Sequence, residues 1–179
     1  MLKKIALLLF VTIFSFASLK AQTIAIGPQL GYHKSEDAEG SLLLGAMGRI
    51  YLANSLALEA SINYRSEDYE NGAVKTKMYP VMVSGLLYFF PLLYGTVGAG
   101  WYNTKIDYSN SLNSLGFKDE TKSEFGYHLG IGAELGLGNL ILTGDVRYVF
   151  LNLKLDRLPG IKELKNNFYV ITAGVLFEL

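Results

Sequence analysis

The chain contains no cysteine, which excludes disulfides, thiolate metal sites and cysteine nucleophiles. Its two histidines, His33 and His128, have no ligand spacing between them. Only 18% of the 179 residues are charged, and 16 Lys and Arg balance 16 Asp and Glu. That balance leaves no basic field to attract nucleic acid and no acidic tail of the kind that keeps a segment disordered. No G-x-S-x-G nucleophile motif occurs, and Gly98-Ala99-Gly100 is no phosphate cradle because no helical pattern follows it. What is present is apolar and small. Half of the residues are hydrophobic, with 19 glycines and 12 tyrosines, a mixture suited to strands that twist and pack closely within one domain.

The N-terminus reads MLKKIALLLFVTIFSFASLKAQ. Lys3 and Lys4 make a positive n-region, Ile5 to Phe16 an apolar h-region, and Ser15, Ala17, Ser18 and Ala21 supply small residues for cleavage. The apolar run is shorter than the roughly 20 residues a helix needs to span a bilayer. A signal peptide over 1–21, cleaved after Ala21 or after Ala17, is therefore expected ahead of a mature domain over 22–179.

In the rest of the chain the dominant signal is alternation with period two. From Leu56 to Arg65 the even positions are Leu, Leu, Ala, Ile and Tyr, whereas the odd ones are Ala, Glu, Ser, Asn and Arg. One face suits an apolar medium and the other a polar one. Phe125, Tyr127, Leu129, Ile131, Ala133 and Leu135 repeat the pattern against Gly126, His128, Gly130, Gly132, Glu134 and Gly136. Between Leu140 and Phe150, Thr143, Asp145 and Arg147 oppose an apolar face, and Tyr169 to Leu179 continues the alternation to the last residue. The pattern predicts eight strands near 23–33, 42–52, 56–65, 78–90, 93–104, 125–136, 140–150 and 167–179. Connections near residues 53–55, 91–92 and 137–139 are tight, and those at 34–41, 66–77, 105–124 and 151–166 are long and mostly polar. Short turns on one side with long loops on the other mark a transmembrane barrel, and an even strand number puts both termini on the short-turn side.

Two competing readings share parts of this pattern. A soluble barrel of the lipocalin kind also alternates, but its apolar face points inward. Here the polar face is the one rich in glycine with few large charges, as a narrow lumen requires, and the opposite face would be a very large exposed apolar patch in water. Met78 to Thr104 carries no charge and is long enough for a membrane helix. Pro80, Pro91, the glycines at 85, 95, 98 and 100 and the many β-branched and aromatic residues oppose a helix, and Pro91 stands where a hairpin would turn.

Leu56 to Arg65, Val97-Gly98-Ala99-Gly100-Trp101-Tyr102, Gly126 to Glu134 and Gly144-Asp145-Val146-Arg147-Tyr148 together resemble the OmpA/OmpX-type small outer-membrane β-barrels, over about residues 23–179. The resemblance implies an all-β, eight-stranded, antiparallel up-and-down transmembrane barrel in the cell outer membrane. It also implies outer-membrane lipids and, during insertion, the barrel-assembly machinery as partners. The terminal alternation is similar to the signal that machinery reads, although this chain ends in Leu179 with Phe177 two places before it, where many family members end in Phe.

With apolar faces toward lipid, the lumen receives Arg49, Glu59, Arg65, Glu134, Asp145 and Arg147, three cations against three anions. Arg49, Glu59 and Glu134 fall at similar depths near the tight turns, and Arg147 and Arg65 fall higher. Eight strands leave room mainly for side chains, so a structural salt-bridge network that plugs the lumen is expected. No catalytic residue, cofactor or metal site is expected. Glu134 and Asp145 could be paired for acid–base work, but neighbouring arginines point to ion pairing instead. The expected function is a non-enzymatic integral outer-membrane protein with a structural or surface-interaction role, its loops binding partners of unknown kind. A small passive pore and an outer-membrane lipid-modifying enzyme are the alternatives.

Overall fold

The computed structural model describes residues 23–35, 40–69, 74–108, 120–154, 163–165 and 167–179. The expected signal segment lies outside the described residues, as do the tips of the four long connections. Nine strands follow in chain order: β1 (Thr23–Ser35), β2 (Ser41–Ala53), β3 (Leu56–Tyr69), β4 (Val74–Phe90), β5 (Leu93–Tyr108), β6 (Glu120–Leu137), β7 (Leu140–Lys154), β8 (Glu163–Lys165) and β9 (Phe168–Glu178). Each long strand pairs antiparallel with its chain neighbours, and β9 pairs with both β7 and β1 to close the wall. The three-residue β8 only extends the upper end of β7 through Asn152–Lys154. The product is a closed eight-stranded antiparallel barrel.

The tight turns are where the glycine and proline pattern places them, at 54–55, 91–92 and 138–139. Gly138 takes φ 69°, a left-handed conformation that suits a residue without Cβ. Pro91 starts the β4–β5 turn, so the uncharged stretch forms a hairpin, and no helix among the described residues is long and apolar enough to cross a membrane. Thr23 and Leu179, the first and last described residues, both sit at this edge, where Leu179 N–H donates to Ile24 O at 2.9 Å and Glu178 N–H to Asn139 O at 2.9 Å.

At the opposite edge the strands run further than alternation alone predicts. β3, β4, β5, β6 and β7 extend through 66–69, 74–77, 105–108, 120–124 and 151–154, most of which the polar composition assigns to loops. Backbone pairing there continues after the side chains have become polar, because ladder hydrogen bonds need no apolar face once the register is set.

The register turns the apolar alternation outward. Leu58, Ile62 and Tyr64 of β3, Val97 and Trp101 of β5 and Tyr127, Leu129 and Ile131 of β6 are exposed, whereas Glu59, Ser61 and Asn63 are buried inside. Phe89, Phe90 and Phe177 ring the turn edge; Tyr32, Tyr64, Tyr79, Trp101, Phe125 and Phe150 ring the other. Tyr79 and Phe89 lie ten residues apart on β4, which at about 3.3 Å per residue and a tilt near 40° is about 25 Å of height, the thickness of an outer-membrane apolar band.

Ile62 is 55% exposed on this band. Ile62→Arg is expected to weaken folding into bilayers by about 2–4 kcal/mol if it lies near the midplane. Denaturant titration in lipid vesicles measures this, and an unchanged midpoint would place residue 62 away from lipid.

Candidate functional site: the charged lumen

The interior holds one connected polar network, and strand order explains its reach. Around the wall β2 lies opposite β6, and β3 lies opposite β7. Arg49 of β2 pairs with Glu134 of β6, and Glu59 of β3 pairs with Arg147 of β7 through Arg147 Nη2 at 2.6 Å from Oε1. Both ion pairs therefore cross the full width of the barrel. Arg49 and Glu59 face each other in the β2–β3 register, and Arg49 Nη2 lies 2.6 Å from Glu59 Oε2. Each Glu59 oxygen thus serves a different arginine, which ties the two crossings together.

Neighbouring groups complete the arrangement. Arg147 grips Asp145 in a two-pronged contact, Nε to Oδ1 at 2.8 Å and Nη2 to Oδ2 at 2.7 Å, while its Nη1 donates to Ser84 Oγ at 3.1 Å. Ser84 Oγ in turn meets His128 Nε2 at 2.8 Å. Tyr88 and Tyr51 hydroxyls donate to Glu134 Oε2 at 2.7 and 3.1 Å. The Arg49 guanidinium sits 5.1 Å from the Tyr94 ring centroid, a cation–π contact. Gly132 makes room for that ring, since a Cβ at this position would overlap Tyr94. Arg49 and Arg147 are 0% and 2% exposed. Charges so deeply buried are tolerated only when paired and hydrogen-bonded, and here each arginine has at least two acidic partners.

Five of the six charged lumen residues predicted from alternation are thus brought into one cluster. The sixth, Arg65, lies higher, where its guanidinium contacts His33 Nδ1. The His33 ring packs against Phe168 at a tilt of 43°, with ring centroids 4.3 Å apart. The two histidines occupy separate levels, and no group of three or more metal-ligating side chains is found among the described residues.

A second layer was invisible to a search for charge. Above the network Leu43, Met82, Tyr102, Val149, Leu151, Phe168 and Val170, from five strands, form a buried apolar cluster across the lumen. The signal was present in the sequence as loss of alternation: inward positions 78 and 82 of β4 are both Met while outward positions are apolar too. Below the network the lumen opens toward the short turns as a vestibule of about 300 Å³, floored by Tyr51, Tyr88 and Glu134. The interior is stacked in three levels: open vestibule, ionic crossing, apolar layer.

The family model for the outer membrane protein beta-barrel domain matches residues 6–177. The chain belongs to this family. It is accordingly an outer-membrane β-barrel protein, and the apolar band described above is its lipid-facing wall. Among solved structures it is similar to a major outer membrane protein from Thermus thermophilus, with TM-score 0.64 and 12% identity over 89% of this chain and 100% of that one. Neisserial surface protein A gives TM-score 0.59 and 14% identity over 89% and 98% of the two chains. Ail, the attachment invasion locus protein of Yersinia pestis, gives 0.53 and 17% over 88% and 97%. At these identities the likeness shows the shared fold. No curated protein matches the chain in sequence.

Proposed function

We propose that this family member is a non-enzymatic, non-conducting barrel whose membrane-spanning wall anchors surface loops and contributes to envelope integrity. The observation that carries the reading is the pair of diametric ion pairs, Arg49–Glu134 and Glu59–Arg147, joined by Arg49–Glu59 and capped by the apolar seal. An aqueous path would have to separate buried ion pairs and also wet a ring of Leu, Met, Val and Phe.

The passive-pore reading competes directly, and planar-bilayer recording on the purified full-length protein decides between them. Wild type is expected to show no steady current above the bare bilayer in molar potassium chloride. A stable unitary conductance in the wild-type protein would overturn the sealed-lumen reading and make the lumen a channel.

A further inference from the structure

The vestibule on the short-turn side of the network is a cavity of about 300 Å³ whose lining includes Thr23, Tyr51, Tyr88, Glu134, Ile141 and Glu178. No lysine, arginine or histidine is among the described residues that line it. The hydrogen bonds that Glu134 receives from Arg49, Tyr51 and Tyr88 all end on Oε2. Oε1 of the same carboxylate accepts none and is not covered, so it faces the cavity rather than the packed interior. Glu178, exposed at the rim, makes no ion pair with any described residue.

Charge and lining together select a kind of ligand. In the ionic cluster Arg49 and Arg147 face Glu59, Glu134 and Asp145, which leaves one negative charge in excess, and Glu178 adds a second at the rim. Arg49 is fully buried and does not line the vestibule, so the carboxylate rather than the guanidinium is presented to the mouth. A divalent cation such as calcium takes about six to eight oxygen ligands. No group of three or more metal-ligating side chains exists among the described residues to supply them. An ammonium group needs only acceptors, since it is all donor. Glu134 Oε1 offers one, and the Tyr51 hydroxyl oxygen, whose own hydrogen goes to Oε2, offers another. Tyrosine rings and Ile141 line the same space, and such walls suit the methylene stem of an alkylammonium.

We propose that the vestibule binds a primary alkylammonium, its ammonium held by Glu134 Oε1 and drawn in by Glu178, its stem lying against Tyr51, Tyr88 and Ile141. The short-turn side of an outer-membrane barrel faces the periplasm, so the ligand comes from there, as a free amine or as the lysine side chain of a peptide. The site lies below the ionic crossing and stands whether or not the lumen conducts.

Saturation-transfer nuclear magnetic resonance on the full-length protein in lipid nanodiscs measures weak binding of small probes. The first probe is N-acetyl-lysine methylamide; N-acetyl-norleucine methylamide has the same stem without the ammonium. Wild type is expected to bind the lysine probe saturably and about tenfold or more tighter than the norleucine probe, as hydrogen bonds to charged groups allow. Glu134→Gln should lose most of that advantage and Glu178→Gln part of it. Glu124→Gln, on β6 at the loop-side edge, should lose none. Because Glu134→Gln also disturbs the ionic cluster, Gly136→Lys gives an independent check. A Cβ at Gly136 meets nothing within 4 Å, so the longer side chain is accommodated and brings its own ammonium into the vestibule, which should abolish probe binding. Anomalous gel migration of unheated samples verifies folding of each variant. Butane-1,4-diammonium competing more tightly than the lysine probe would assign the site to free amines, and competing more weakly would assign it to lysine side chains. Equal binding of the lysine and norleucine probes would overturn the proposal, as would unchanged binding in Gly136→Lys. Displacement of the probe by calcium at lower concentration than by the diamine would overturn it in favour of a metal site.

Discussion

Arg147→Ala is expected to destabilise the barrel by about 3–5 kcal/mol, the cost of leaving a buried ionic partner without its counter-charge. The side chain is 2% exposed and meets Asp145, Glu59 and Ser84 together. In the five-residue cluster two cations (Arg49, Arg147) face three anions (Glu59, Glu134, Asp145), a formal balance of −1; removing Arg147 leaves one cation against three anions, −2. Arg147→Lys keeps the charge but cannot supply the forked grip on Asp145 together with the reach to Glu59, so an intermediate loss is expected. Urea titration of the protein refolded in vesicles measures both. A double-mutant cycle tests the second crossing: Glu134→Ala alone should cost a few kcal/mol, and Arg49→Ala in the same chain should restore part of it, with a coupling of about 0.5–3 kcal/mol. Strict additivity would mean that Arg49 and Glu134 do not meet in the membrane.

The second large effect concerns conductance and follows from two barriers in series. Current through a narrow path is set by its tightest point, so opening one level leaves the other closed. Arg49→Ala with Glu59→Ala, which breaks both crossings, should therefore stay close to silent while Leu43, Tyr102 and Phe168 still cross the upper lumen. Phe168→Ala with Tyr102→Ala should likewise stay silent while Glu59 and Arg147 still meet below. Combining the four substitutions is expected to produce unitary currents where neither pair does, a change from none to a measurable conductance. Because each aromatic removal also costs up to about 3–5 kcal/mol, the recordings need folded material, verified by gel migration before heating. Open channels from the Arg49 and Glu59 pair alone would show that the apolar cluster is no seal. Silence in the quadruple variant would show that the closure lies elsewhere.

Much of this architecture could be read along the chain because a strand's side chains alternate with period two, independent of anything distant. The sides of Glu59, Glu134, Asp145 and Arg147 follow from their parity with Leu58, Leu135, Val146 and Tyr148 alone. The same reasoning failed at the loop-side edge. Polar residues at 66–69 and 105–108 suggest loop, yet they remain strand, because ladder pairing carried up from below outweighs local composition. It also missed the apolar seal. In β4 both faces are apolar here, and a reading that searches the lumen for polar residues passes over Met78 and Met82.

The sequence by itself determined the antiparallel wall and which side chains face inward, because turn residues and parity are local properties. Only the tertiary structure decided who meets whom. That Arg49 reaches Glu134, 85 positions away, and that Glu59 splits its two oxygens between Arg49 and Arg147, depends on which strands closure sets opposite one another and at what stagger. Parity places a residue inside a barrel, but depth and partner across the lumen are set by register summed around the whole wall, which no single segment contains.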